Sequence, residues 1–168
     1  LDKLFGKNFN LKKIKELSQP GEFASQEQVE VIGKQKIKMR IVGPIRKQTQ
    51  VELALSDCRA MGVKPVIRIS GDLKDSSGGL TLKGPKGQIK LTSGVIVAKR
   101  HLHIDTATAK KWKVKNNQKV KAIIKGSRAM EIREIIARVG NYSTAIHLDT
   151  DEANAVGLLN CSKIDLDI

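Results

Sequence analysis

Aromatic side chains are scarce: five in 168 residues, namely Phe5, Phe9, Phe23, Trp112 and Tyr142. With so few rings the core must be aliphatic, built from Ile, Val, Leu and Ala. The same scarcity argues against a single-strand nucleic-acid binder, which stacks bases on aromatic platforms. Cysteine is rarer still. Cys58 and Cys161 share no CxxC spacing, which excludes a disulfide framework and suits ordinary thiols in a reducing, cytoplasmic setting. No apolar run approaches the roughly 20 residues that cross a bilayer as a helix, and no segment has the form of a signal peptide. "SSGG" and "GPKG" fit neither GK[ST] nor GxGxxG, and no serine stands in a GxSxG elbow.

Positive charge, by contrast, is abundant. Lys and Arg number 31 against 17 Asp and Glu, a formal net charge of +14 that points to a polyanionic partner. Nucleic acid is the first candidate, because Lys and Arg on phosphates supply most non-specific affinity. The lysines are spread along the chain, however, with no block of five or more like charges. A phosphorylated metabolite or a nucleotide-bearing cofactor fits equally well. The length suits one ordinary domain or two small ones.

Short apolar or alternating runs bounded by Gly and Pro predict a mainly β chain. Strands are expected at "VEVIG" (29–33), "KIKMRIVG" (36–43), "TQVELAL" (49–55), "GVIVAKR" (94–100), "KVKAIIKG" (119–126) and "REIIARVG" (133–140), with a hairpin at "LTLKGPKGQIKL" (80–91). Short helices are expected at "SDCRAMG" and "DTATAKKW", capped by Ser56 and Asp105, and at "DTDEANAVGL". Sliding the chain by 51 residues aligns Gly33 with Gly84, Gly43 with Gly94, Ile45 with Ile96, and "GVK" (62–64) with "KVK" (113–115). That register predicts two similar small β-units. It places Gln50 opposite His101 and Glu52 opposite His103.

Only three histidines occur, and they cluster in two places. His101 and His103, in "RHLHID", are at i and i+2, so on a strand they project from one face. Such a pair suits a zinc ion, which takes a neutral nitrogen from each; it also fits two exposed polar residues at a strand end. His147 opens "HLDTDEAN", where Asp149 or Thr150 can cap a helix without any further role, and Asn154 follows within it. The acidic spacing there matches no calcium loop. Arg46, six residues before Glu52, has the planar fork of donors that holds a tetrahedral oxyanion, but by itself it reads as one surface arginine among many.

At "LSQPGEFASQEQV", "VGPIRKQTQVELALSDCRAMGVKP", "GVIVAKRHLHID" and "HLDTDEANAVGL" the sequence resembles the PduL-type phosphate propanoyltransferases, a family of phosphate acyltransferases. The resemblance runs from about residue 4 to residue 159. It implies two small β-barrel domains capped by short α-helices and related as an internal repeat. The expected boundaries are 1–78 for the first unit and 79–168 for the second, with the first unit free to take a strand from the C-terminal part. It also implies a site with two zinc ions that moves an acyl group between coenzyme A and inorganic phosphate. On the matching positions, His101, His103 and His147 would bind one zinc and Glu52 the other. Arg46 would hold the phosphate, and Lys13, Arg40 and Asn154 would contact coenzyme A. The family's earlier "RHIH"-type element, whose histidines complete the zinc site that uses Glu52, has no counterpart in this sequence. That site is therefore expected to be incomplete in this chain. Because Glu52 and Arg46 are retained, the sequence is expected to begin downstream of the element. A peptide for packing into a bacterial microcompartment would lie in the same upstream part.

The expected reaction is zinc-assisted attack of phosphate on the thioester of propanoyl- or acetyl-CoA, without an acyl-enzyme. Neither a membrane nor nucleic acid is an expected partner, and a homodimer and a microcompartment shell are within the family's range. Two other classes remain: a zinc-dependent hydrolase using water, and a basic β-barrel that binds nucleic acid and uses its histidines structurally.

Overall fold

A computed structural model describes residues 1–158 and 164–167, and Cys161 lies outside them. The protein is mainly β, and its chain forms two compact units, Leu1–Ala98 and Lys99–Ile168. Each has an aliphatic core of its own.

The first unit runs α1 (Asp2–Phe5), β1 (Lys13–Glu16), β2 (Phe23–Ile32), β3 (Lys36–Gly43), β4 (Val51–Glu52), α2 (Leu55–Met61), β5 (Ile67–Arg68), β6 (Thr81–Lys83), β7 (Gln88–Lys90) and β8 (Val95–Ala98). The long β2 is the centre of one sheet. It pairs antiparallel with β1, β3 and β6, and β6 turns into β7 as the expected hairpin, with the Gly84 N–H donating to Gly87 O at 2.9 Å. A second, parallel set places β8 between β4 and β5. The boundary expected at 78/79 falls inside this unit, because Glu30 pairs with Lys83 and Val51 with Val95. Val31, Cys58, Met61, Leu80 and Val95 are almost fully buried at its core.

The strand expected over 49–55 shrinks to Val51–Glu52, and α2 starts earlier than its sequence signal. The Asp57 carboxylate accepts the Ala54 N–H at 3.2 Å, so Ala54 rather than Ser56 takes the N-cap position. At the other end Gly62 adopts the left-handed conformation (φ 73°), where an absent Cβ removes the steric cost.

The second unit runs β9 (His101–Asp105), α3 (Thr106–Trp112), β10 (Lys119–Ile124), β11 (Met130–Gly140), β12 (Ala145–His147), α4 (Thr150–Ala155) and β13 (Ile164–Asp167). Its five strands lie in the order β12-β9-β11-β10-β13, with β9 parallel to β11 and the other neighbours antiparallel. Leu102, Ile104, Ile124, Ile135 and Ala137 fill its core. Asp105 caps α3 as expected, accepting the Thr108 N–H at 2.8 Å. Asp149 and Glu152 bond each other's backbone N–H at the start of α4, a reciprocal capping box.

The spans of α2 and α3 differ by 51 at both ends (106 against 55, 112 against 61), the same offset that aligns the sequence with itself. The closing turns match in detail. Val63 N–H donates to Cys58 O and Val114 N–H to Ala109 O, while Lys113 takes the left-handed position of Gly62. Among the described residues no helix is long and apolar enough to cross a membrane.

Candidate metal centre

Strand pairing brings the three histidines together. Because Leu102 and Ile104 point into the core, alternation along β9 sends His101 and His103 to the opposite face. β12 lies antiparallel beside β9 with His147 opposite His101 and Ala145 opposite His103. Directly paired residues share a face of the sheet. The rings of His101 and His147 stack with centroids 4.7 Å apart and planes 3° apart, and His103 tilts against both. One ligand nitrogen from each ring can be chosen so that all lie within 4.8 Å of one another. Two zinc–nitrogen bonds at a tetrahedral angle hold their nitrogens roughly 3.3 Å apart, so small side-chain rotations would close the three rings onto one ion.

The chemistry of this donor set fits a metal. His103 is 2% exposed, and neither of its ring nitrogens has a hydrogen-bond partner among the described residues. A buried imidazole without partners is costly, and a metal ion satisfies a lone pair directly. Burial above all, then the charges of His147, His101 and Arg138, lower the pKa of His103 to about 4. It is therefore a neutral ligand at ordinary pH. The Nδ1–H of His101 donates to Lys99 O at 3.0 Å, which fixes its tautomer and makes Nε2 its lone-pair nitrogen.

Glu52 belongs to the first unit and is exposed at the end of β4. Its Oε1 accepts from the Ser70 hydroxyl at 2.7 Å and from the Gln50 amide. The orientation of Gln50 is set in turn by the Gly71 N–H, which donates to Gln50 Oε1 at 2.9 Å. Both side chains converge on one oxygen of the carboxylate.

The remaining predicted residues have partners of their own or are exposed. Arg46 follows β3 and pairs with Glu22 at 2.6 Å. Lys13, exposed on β1, pairs with Glu16. Arg40, on β3, donates from Nη1 to Ser25 O at 2.7 Å and Gln26 O at 3.2 Å, where β2 bulges away from β3. Asn154 is exposed on α4. Sequence reasoning did not find Ser70, Arg138 or Tyr142. Arg138 becomes visible only through the parallel register that sets it beside His103, and Tyr142 through the turn after β11 that lays its ring on His103. Gln50 could have been found: the offset of 51 pairs it with His101, as it pairs Glu52 with His103.

A family model described as "Phosphate propanoyltransferase" matches residues 1–159. Curated relatives carry the same name. One from Thermotoga maritima is 40% identical over 162 residues, covering 94% of this chain and 77% of its own. One from Leptotrichia buccalis is 43% identical over 160 residues, covering 94% and 75%. One from Clostridioides difficile is 41% identical over 160 residues, covering 94% and 76%.

Proposed function

The chain belongs to the phosphate propanoyltransferase family, and on that premise we propose that it interconverts acyl-CoA plus phosphate with acyl phosphate plus coenzyme A, using zinc held by His101, His103 and His147. The observation that carries the zinc assignment is the convergence of His101 and His147 on His103, whose two buried nitrogens have no partner among the described residues. In the reaction a phosphate oxygen bonds to the thioester carbonyl carbon and the carbon–sulfur bond breaks. The proton of the hydrogen phosphate passes to the coenzyme A sulfur. Bound zinc supplies Lewis acidity and a fixed positive charge for the phosphate or the thioester carbonyl.

The chain's own residues do the rest. His101 presents Nε2 because Lys99 O holds its Nδ1–H, and His103 stays neutral through burial. Arg46 holds phosphate oxygens through its planar fork, exchanging Glu22 for the substrate anion. Lys13, Arg40 and Asn154 contact coenzyme A, whose phosphates the +14 chain attracts. Glu52 would be one ligand of a second zinc, and among the described residues no group of three or more potential ligands includes it. With two hydrogen bonds on Oε1, Oε2 would be the oxygen offered to that metal. No acyl-enzyme forms; Cys58, 1% exposed, is out of reach of a thioester.

The fold reading that goes with this function is two related β-barrels, with Glu52 and His103 at equivalent positions. The 51-residue displacement shared by α2 and α3 supports it. Propanoyl-CoA is the favoured substrate by family name and acetyl-CoA the second. Their difference of one methylene is worth about 1–3 kcal/mol in a pocket. A cytoplasmic protein, forming a homodimer and packed in a bacterial microcompartment, completes the reading. Sedimentation velocity tests the dimer, and cofractionation with shell proteins tests the packing.

The deciding experiment follows coenzyme A release from propanoyl- and acetyl-CoA with and without phosphate, on native protein of counted zinc content. Release that requires phosphate and zinc is expected. Equal release with water alone makes the protein a hydrolase. A covalent acyl-protein that forms and decays at the turnover rate rules out direct attack.

A further inference from the structure

The only tyrosine of the chain lies flat on the most buried of the three histidines. Its ring centroid is 4.2 Å from that of His103, and the planes are 9° apart. The turn that carries Tyr142 is tied down on both sides. Before it, β11 ends at Gly140, which pairs with Asp105. A Cβ on Gly140 would stand 2.7 Å from Tyr142 Cε2, so only glycine there lets the ring lie where it does. After it, the Thr144 hydroxyl donates to Asp105 Oδ2 at 3.1 Å, and Ala145 pairs with His103. Asp105 is already fixed as the cap of α3.

This arrangement stands where a hydrogen bond is ordinarily found. A metal-binding histidine usually donates its second ring N–H to a carbonyl or carboxylate, which sets the ring's rotation and tautomer. His101 follows that rule through Lys99 O. His103 does not, since neither nitrogen has a partner among the described residues. Among the described residues, the one aromatic ring stacked on it outside the histidine trio is that of Tyr142.

We propose that Tyr142 is a positioning residue of the metal centre, orienting the His103 imidazole by face-to-face stacking in place of a hydrogen bond. The inference rests on the three-histidine metal reading. The aromatic face does the positioning, and the phenol hydroxyl does not. Phenylalanine therefore substitutes, while leucine, of similar apolar bulk but without a plane, does not. Losing an outer-shell partner of a metal-binding histidine typically costs 10–100-fold in affinity, and the same range is expected here.

The test measures zinc affinity by competition with a chromophoric chelator for wild type, Y142F, Y142L and H103A. Thermal melts of the zinc-free proteins confirm that each is folded. Y142F is expected to bind like wild type and Y142L about 10–100-fold more weakly, with H103A weaker still. Because Tyr142 is the sole tyrosine, protein labelled with 3-fluorotyrosine gives one fluorine resonance. That resonance is expected to move when zinc is added to wild type and to stay put in H103A. Wild-type affinity in Y142L with loss in H103A overturns the stacking role and leaves the metal site standing. Unchanged affinity in H103A removes the metal reading, and the inference with it.

Discussion

The Ser70 hydroxyl donates to Glu52 Oε1 at 2.7 Å, and the Gln50 amide reaches the same oxygen. Gln50 Nε2 also donates to the Ser70 hydroxyl at 3.0 Å, so the three side chains form a closed triangle on the first unit. Two donors on one carboxylate oxygen fix the plane of the carboxylate and leave the other oxygen available. If Glu52 binds a metal, S70A should weaken that binding and the phosphate-dependent reaction by about 10–100-fold. Zinc per chain and coenzyme A release check it together. Full activity in S70A would mean that Glu52 needs no holder.

The acid limb of stability should be set at the histidine cluster. His103 titrates at about 4 in the fold, against 6.5 when unperturbed. Between those values the unfolded chain binds a proton that the folded chain does not, so stability rises with pH through this window. It is complete above about 6.5 and is lost as pH falls towards 4. The groups facing His103 are His101 on the same strand, His147 on β12, Arg138 on β11 and Tyr142 in the turn after it. Among the described residues, burial and the charges of His147, His101 and Arg138 all lower the His103 pKa, and no carboxylate is among the causes of the shift. Melting temperatures of the metal-free protein from pH 4 to 7 should show the steep limb, and H103L should flatten it. A limb of equal slope in H103L assigns the acid loss elsewhere.

Arg46 presents a different case, because its guanidinium is already engaged. The pair with Glu22 is partly exposed, which makes it weak enough to exchange for a phosphate. R46A should raise the KM for phosphate about tenfold or more while leaving the KM for the thioester near its wild-type value. R46K should rescue poorly, since an ammonium lacks the bidentate fork. Steady-state kinetics with each substrate varied in turn separate the two constants. Equal effects on both would place Arg46 outside the phosphate site.

How far these features could be read from sequence depends on how local their causes are. The hairpin at 80–91, the Asp105 cap and the i, i+2 facing of His101 and His103 are set within a few residues, and the sequence shows each of them; at α4 it leaves Asp149 and Thr150 open, and Asp149 takes the cap. The early start of α2 is missed because the side chain that decides it, Asp57, acts backwards on Ala54 rather than standing at the cap. The expected boundary at 78/79 differs from the division at 98/99 because β6 and β8 pair with strands up to some 50 residues earlier, which no local pattern records. Tyr142 escapes notice for the same reason. Its partner, His103, reaches it only through the parallel pairing of β9 with β11, and a lone tyrosine after a glycine-ended strand looks like any turn residue.

The 51-residue offset makes a final prediction, in which equivalent positions should answer oppositely to substitution. Gly62 and Lys113 end α2 and α3 with the same left-handed geometry, at φ 73° and 58°. A residue with a Cβ held there costs roughly 1–2 kcal/mol, and glycine returns part of that, about 0.5–1 kcal/mol, as chain entropy in the unfolded state. The difference leaves K113G more stable than wild type by up to about 1 kcal/mol, and G62A less stable by a similar amount. An alanine Cβ at 62 would also meet the Lys34 side chain at 2.7 Å, but that flexible chain can swing away, so backbone strain decides the sign. Hydrogen exchange at the closing amides of Val63 and Val114 reads each helix end separately. Protection should fall at Val63 in G62A and rise at Val114 in K113G. If K113G instead loosens Val114, the Lys113 side chain holds that helix end by contacts outweighing the strain, and the two caps are alike in shape but not in energetics.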